Sequence, residues 1–330
     1  MKLFKNKRIL ITGATGSWGH ELVEQLLKKD PLEIRIFSRN EASQVSMART
    51  FNDQRLNFLI GDIREKESLM VACENVDMIF HLAALKHVPV CETQPLEALK
   101  TNVIGTQNVI DAAIVHRVKK VVYISTDKAA NPSNFYGLTK AMGERLITHA
   151  NTLSTDTKFV TIRGGNVLGT NGSVIHVFKN QIKHHGYVGI TNKDMTRFFL
   201  TLEDAIKLLF KAVSESIGGE IFVMKMPSCK ILDLAEVLIE HYGNKKVKII
   251  EEGIREGEKI HEILFSEYES KHTILFDNEY YVILPTVNIN GIKERYSSFE
   301  TVPLRSYSSA NNLMKKNEIL RMLEKGGFLS

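Results

Sequence analysis

Six short apolar runs punctuate the first half of the chain: RILITG (8–13), EIRIFS (33–38), LNFLIG (56–61), DMIFHLA (77–83), KVVYIST (120–126) and KFVTIR (158–163). Short and apolar-rich, they read as buried strands. Between them lie longer segments with helical spacing, among them HELVEQLLKK (20–29) and NVIGTQNVIDAAIVH (102–116). Parallel strands need a crossover between neighbours, and a helix that returns right-handed over the sheet supplies it. The alternation therefore predicts an α/β fold with a doubly wound parallel sheet of at least six strands within residues 1–165.

After residue 165 the rhythm loosens. Helices are expected at 173–185, 202–215 and 230–241, with strands at 220–226 (EIFVMKM, core before anything else) and 247–250. This reads as a smaller, mixed α/β C-terminal substrate domain over 166–330, with elements from about 194–226 returning to the sheet. The last thirty residues read as a polar arm ending in a helix at 311–324.

The net charge of +5 is a mild excess, and the lysine pairs Lys119–Lys120 and Lys245–Lys246 are short and scattered. Nucleic acid is not indicated; an anionic small substrate suits the same charge. Three unevenly spaced cysteines, Cys73, Cys91 and Cys229, argue for a reducing compartment rather than a disulfide framework. No secretory signal opens the chain, and no apolar run approaches the length of a membrane span. A cytosolic protein is expected.

The first candidate site follows the first strand. It runs into TGATGSWG, with Gly13, Gly16 and Gly19 ahead of a helix. Glycines there allow a tight turn and close approach to a pyrophosphate, and the helix N-terminus offers free amides and a positive dipole end. The sheet is thus of Rossmann type and a dinucleotide is expected. The second strand ends in Ser38-Arg39 rather than an acidic residue, which suits the 2′-phosphate of NADP, although Arg39 also reads as a solvated loop charge. Asp62, in GDIR after the third strand, is either an acceptor for the adenine amino group, a helix N-cap, or both.

The second candidate site lies after the fifth strand, in STDKAANPSNFYGLTK (125–140). Tyr136 and Lys140 are four apart on one predicted helix, so ammonium and phenol share a face. An ordinary phenol titrates near pH 10; a neighbouring lysine and an oxidised nicotinamide ring are expected to lower that. Asp127-Lys128 adds an acid beside a base at the end of a parallel strand, where open α/β sheets put their ligands.

The Tyr136-x-x-x-Lys140 pair, downstream of the glycine triplet and of Ser125-Thr126, resembles the short-chain dehydrogenase/reductase superfamily. Longer stretches narrow the resemblance: HLAALKHVPVCETQPLEALKTNVIGTQNVI, STDKAANPSNFYGLTKAMGERL, GNVLGTNGSVI, DMTRFFLT and REGEKIHEIL. Together, over about residues 5–270 and more weakly in EYYVILPTV (279–287), they look like UDP-N-acetylglucosamine 4,6-dehydratases. Within these the chain is similar to the short, inverting enzymes of the pseudaminic acid pathway.

The resemblance implies a tightly bound NADP regenerated in each cycle. Thr15, Ser17, Trp18, Ile63, Ala83, Ala84, Lys86 and Ser125 would join the residues above around it. Tyr136 would be the base at the 4-hydroxyl, supported by Lys140 and Thr126. Lys128 would be the base at carbon 5, and Asp127 the acid at the 6-hydroxyl. Lys86, Asn166, Val174, Thr191, Arg197, Arg255 and Glu258 would hold UDP-N-acetylglucosamine. Read without the resemblance, Arg197 is a surface charge at a helix start and Glu258 a helix-end cap. The chain departs from the family at Gly164, where an aromatic is common; this would loosen the sugar site. A homo-oligomer, paired through helices near 96–116 and 135–151, is also implied.

Other readings fall away. His81, His87 and Cys91 do not complete a metal set. His184 and His185 lie late in a predicted helix, and no G-x-S-x-G elbow indicates a serine hydrolase. Release of the 5,6-ene, retention at carbon 5, epimerisation, and a non-catalytic NADP sensor remain as alternatives.

Overall fold

The computed structural model describes residues 3–170, 173–243 and 246–329; Lys245 of the second lysine pair lies outside them. The six expected strands form, as β1 (Arg8–Thr12), β2 (Glu33–Ser38), β3 (Leu56–Ile60), β4 (Met78–His81), β5 (Lys120–Thr126) and β6 (Lys158–Gly164). They pair in parallel in the order β3-β2-β1-β4-β5-β6. The order reverses between β1 and β4, which opens a crevice at the carboxyl ends of the strands.

The apolar runs are continuous because both faces of the inner strands are covered. Ile9 and Ile11 of β1 pack with Leu22, Leu26, Leu208 and Leu209 of helices Ser17–Leu27 and Leu202–Glu215. Leu10, between them, packs on the other face with Leu69, Val109, Ile110 and Ile147. β3 is the edge, and there Ile60 stands exposed.

The sheet is larger than expected. Ile221–Met224 adds a parallel strand beside β6, and Tyr280–Ile283 and Thr273–Leu275 add two antiparallel ones. Of the segment 194–226, Ile221–Met224 joins this sheet and the helix Leu202–Glu215 covers it. Thr196–Leu200 belongs instead to a small sheet with Asn166–Val167 and Ser228–Lys230. Around that small sheet, helices Val174–His184, Ile231–Tyr242 and Lys316–Lys325 bury Phe178, Leu234, Leu238, Ile319 and Leu323.

Two expectations about helices are corrected. The last helix begins at Lys316, not 311; the Glu318 carboxylate reaches back to accept from the Lys315 amide (2.8 Å) and closes its first turn. The polar stretch before it is not a loose arm. Tyr307–Ser308 pairs with Ile263–Phe265, and Tyr307 and Ser309 are buried. The helix expected from 102 is preceded by a π segment, Lys100–Ile104. Within it the Asn102 carboxamide bonds both Leu85 main-chain groups and the Thr139 hydroxyl, tying the loop after β4 to the helix Phe135–Leu153.

One buried cation joins the layers. Arg163, at 1% exposure, donates to Glu144 (3.0 and 2.6 Å), to Glu269 (3.2 and 2.9 Å) and to the Leu264 carbonyl (2.7 Å). Removing it leaves Glu144 buried without its cation. Arg163→Leu is therefore expected to cost about 3–5 kcal/mol, read as a lower urea midpoint at unchanged slope.

Candidate active site

The strand ends converge on a cavity of about 700 Å³. Its floor is the glycine turn. Gly13 takes φ +70°, and a β-carbon there would sit 2.7 Å from the Ala83 main chain; one at Gly19 would sit 1.9 Å from the Ala14 carbonyl oxygen. Those two glycines are required by the protein's own packing. At Gly16 the nearest atom to a β-carbon is 3.6 Å away, and the residue lines the cavity. Its bare face is free for close approach by a ligand. The helix Ser17–Leu27 starts there with no side-chain cap, so its first amides remain available. These residues fit a dinucleotide's pyrophosphate.

All the cofactor candidates line this one cavity: Gly13, Thr15, Gly16, Ser17, Trp18 and Gly19 from the turn, Ser38 and Arg39 after β2, Asp62 and Ile63 after β3. Ala83, Ala84 and Lys86 after β4, Ser125 of β5, and Tyr136 and Lys140 complete the set. The Ser38 hydroxyl accepts from Gln44 (3.0 Å), and the Arg39 side chain is 55% exposed with a guanidinium nitrogen 3.7 Å from Asp62. Asp62 is not a helix N-cap. It accepts from the Arg64 amide (3.0 Å) and is gripped by the Arg64 guanidinium, while the next helix starts four residues further on, at Lys66, with Glu65 at its N-cap position.

The 125–140 stretch lies where β5 ends. The Thr126 hydroxyl donates to Asp127 Oδ1 (2.9 Å) and accepts from the Lys128 amide, which starts a short turn over Asp127–Ala129. Lys128 Nζ lies 3.0 Å from the same Oδ1. Asp127 is fully buried and does not line the cavity, whereas Thr126, Lys128 and Tyr136 do. Burial disfavours the Lys128 ammonium, yet Asp127 and Glu262 outweigh that and raise its pKa.

The effect of Lys140 on Tyr136 is corrected. Burial pushes the Tyr136 phenol up to about 12, and the cation that counters this is Lys128, helped by the Thr126 hydroxyl. Lys140 instead places Nζ 3.9 Å from the centre of the Tyr123 ring, and burial drives it down to about 7. Beneath it, His81 is held between the Thr12 and Thr106 hydroxyls (2.7 and 3.1 Å) and is pushed by burial to about 3. That histidine is a satisfied core residue. Among the described residues no group of three or more His, Cys, Asp or Glu could hold a metal.

The substrate candidates divide. Lys86, Asn166 and Val174 line the cavity; Thr191, Arg197, Arg255 and Glu258 do not. Arg197 is in a strand rather than at a helix start and is nearly buried, with Nε 3.8 Å from Glu262. Glu258 sits in a loop, not at a helix end, with Oε2 buried and unpartnered. Arg255 is exposed and paired with Glu252. Gly164 lines the cavity, and the nearest atom to a β-carbon there is on the Trp18 indole, at 3.7 Å.

Glu262 is the residue that sequence reasoning missed. It stands inside REGEKIHEIL, but nothing local in that stretch says that it reaches Lys128, 3.4 Å away. Among the described residues no helix is long and apolar enough to cross a membrane.

The strand order, the glycine turn and the Tyr136–Lys140 pair define an extended short-chain dehydrogenase/reductase fold. The chain belongs to the polysaccharide biosynthesis protein family, whose model matches residues 9–284. It is 42% identical to a UDP-N-acetylglucosamine 4,6-dehydratase (inverting) of Campylobacter jejuni, over 96% of each chain. It is 40% identical to a UDP-glucose 4-epimerase of Rickettsia bellii, over 98% of this chain and 97% of the other. The X-ray structure of Pen from Bacillus thuringiensis matches with a TM-score of 0.89 and 39% identity, covering 98% of this chain and 99% of that one.

The two functions of glycine in the turn can be separated. Gly16 has extended backbone angles that valine tolerates, so Gly16→Val should melt like the wild type and bind dinucleotide at least roughly tenfold more weakly. Gly13→Val should lose both, since it meets strain and main chain together. Thermal melts and cofactor-fluorescence titrations distinguish them.

Proposed function

We propose that the protein is an NADP-dependent hydro-lyase. It converts UDP-N-acetylglucosamine to a UDP-4-keto-6-deoxy-N-acetylhexosamine with inversion at carbon 5. The observation that carries this reading is the Asp127–Lys128 pair at 3.0 Å, at the end of β5 beside Tyr136. Elimination of water needs an acid and a base together, and this pair provides both.

When bound, the nicotinamide supplies the hydride acceptor and donor. Tyr136 takes the proton of the 4-hydroxyl, and the Lys128 charge beside it favours the phenolate that this requires. Lys140 supports the ribose side of the cofactor. A 4-keto group acidifies the proton at carbon 5. Lys128 removes that proton, and Asp127, steadied by Thr126, protonates the departing 6-hydroxyl so that it leaves as water. Return of a proton to the opposite face of carbon 5 inverts it.

Asn166, Val174, Thr191, Arg197, Arg255 and Glu258 are the proposed contacts of the UDP moiety, with Lys86 at the cofactor side. The orphaned Glu258 Oε2 suits a ribose hydroxyl donor. NADP is favoured over NAD by the exposed Arg39 and by Asp62, whose carboxylate is already engaged by Arg64. A cytosolic setting fits the three buried free cysteines. Exposed Ile104, Leu138 and Met142, on the π segment and the helix Phe135–Leu153, support pairing with a second copy.

The likeness to a UDP-glucose 4-epimerase supports a second reading, epimerisation at carbon 4. Tyr136 and Lys140 would suffice for that, and the Asp127–Lys128 pair would have no task. Proton NMR of the protein with UDP-N-acetylglucosamine in heavy water separates the two. A new methyl signal with deuterium at carbon 5 is expected for the wild type, and none for Tyr136→Phe. A galacto-configured product without a methyl signal would make the protein an epimerase. A vinyl signal alone would mean release of the 5,6-ene. Separately, Arg39→Ala should weaken NADP binding by roughly tenfold or more while leaving NAD nearly unchanged, as expected for loss of a charge-assisted contact of about 1.5–3 kcal/mol.

A further inference from the structure

Glu262 immediately precedes the strand Ile263–Phe265 and is 3% exposed. Its Oε1 stands 3.4 Å from Lys128 Nζ and 3.8 Å from Arg197 Nε, while Oε2 is buried without a hydrogen-bond partner. Its main chain is fixed on both sides by Ser309, which accepts from the Glu262 amide (2.9 Å) and donates its own amide to the Glu262 carbonyl (2.9 Å). Desolvating a carboxylate and leaving one oxygen unused is costly. The position beside the reacting amine gives that cost a purpose.

We propose that Glu262 is a positioning residue that keeps one proton within the Lys128–Asp127 pair, so that the pair can act as amine and carboxylic acid when carbon 5 is deprotonated. This rests on the dehydration reading above. The proton on Nζ crosses to Asp127 Oδ1, 3.0 Å away, and frees the amine lone pair. The amine then takes the carbon-5 proton as the carbon 5–carbon 6 double bond forms and the carbon 6–oxygen bond breaks. Asp127 gives its proton to the departing oxygen, which leaves as water. The pair is again ammonium and carboxylate, with no net gain or loss of protons.

What must be prevented is escape of that proton to solvent. Asp127 faces Lys128 from its own turn, Tyr136 from the helix Phe135–Leu153, Arg197 from the strand Thr196–Leu200, and Glu262 with Lys259 from the approach to Ile263–Phe265. The two other cations, Arg197 and Lys259, oppose the charge on Lys128. Asp127 must give up its negative charge when it becomes the acid, so Glu262 is the anion that stays.

The test is the pH dependence of kcat/KM on UDP-N-acetylglucosamine for the wild type and Glu262→Gln, beside NMR titration of the Lys128 Nζ in lysine-labelled protein, assigned with Lys128→Met. In Glu262→Gln the alkaline limb and the Nζ titration should both fall by about 1–3 pH units, with the acid limb in place. Glu262→Asp, whose carboxylate stands back from Nζ by one methylene, should give a smaller fall of the same sign. An unmoved alkaline limb and Nζ titration, or activity gained on the acid side, would overturn the assignment. If Glu262→Gln does not fold, Glu262→Asp decides: a lowered Nζ titration upholds the role, and an unchanged one sinks it. If the wild type turns over no UDP-N-acetylglucosamine, the dehydration reading fails, and the Nζ titration still decides whether Glu262 holds the proton.

Discussion

Arg163 is the joint on which the site depends. It stands at the end of β6 with no water to solvate it, so its five donors must be answered by protein. The answers come from the helix that carries Tyr136 and Lys140, through Glu144, and from the segment that follows Glu262, through Leu264 and Glu269. A single desolvated cation thereby fixes the distance between the half of the site built on the large sheet and the half built on the C-terminal layer. A neutral side chain of similar size would fill the space without imposing that geometry. The requirement is directional, because a planar guanidinium meets its carboxylates in a fixed fork.

Burial disfavours the charge on two lysines, and the net outcomes are opposite. Lys140, packed over an aromatic ring with its neighbour Glu144 already spent on Arg163, is driven towards neutrality near pH 7. Lys128, between two carboxylates, is held as an ammonium although it too is largely removed from water. The difference lies chiefly in the partners, although Lys140 is also the deeper of the two, and it suits the lysines to different chemistry. The first suits a neutral or easily switched donor beneath a cofactor. The second suits a proton store beside a substrate. Tyr136, raised by burial and lowered by Lys128, is poised by the second lysine rather than by the one that its helix spacing suggests.

Much of this was legible in the chain for local reasons. β2 and β5 span the same residues as their runs, because a buried apolar centre (Ile34, Ile36 and Phe37; Val121, Val122 and Tyr123) is bounded by polar, half-buried ends. The helix at 202–215 is bounded by Thr201 as an N-cap and matches to the residue. The glycine turn and the Tyr136–Lys140 pair are short-range patterns, and most of the other cofactor candidates rest on the resemblance; all of them line the one cavity. What escaped is long-range. Arg163 meets Glu144 and Glu269, and Lys128 meets Glu262, across segments whose spacing carries no period. The two antiparallel strands within 273–283 are placed only by long-range pairing, Tyr280–Ile283 on Ile221–Met224 and Thr273–Leu275 on Tyr280–Ile283. Asp62 was ambiguous as long as Arg64, two residues on, was not seen to take its carboxylate.

The likeness to both a dehydratase and an epimerase is intelligible in these terms. A tyrosine and a lysine beneath a nicotinamide serve any reaction that begins by oxidising a sugar at carbon 4. Whether the reaction goes further is settled by what stands over the next carbons. Here the end of β5 carries an acid and an amine, and the C-terminal layer closes on them with a second carboxylate and a second cation. Burying four charged groups together is expensive, several kcal/mol per ion before pairing. A fold whose task ended at carbon 4 would have no return on that expense. The cost of the cluster is therefore itself an argument for chemistry at carbons 5 and 6.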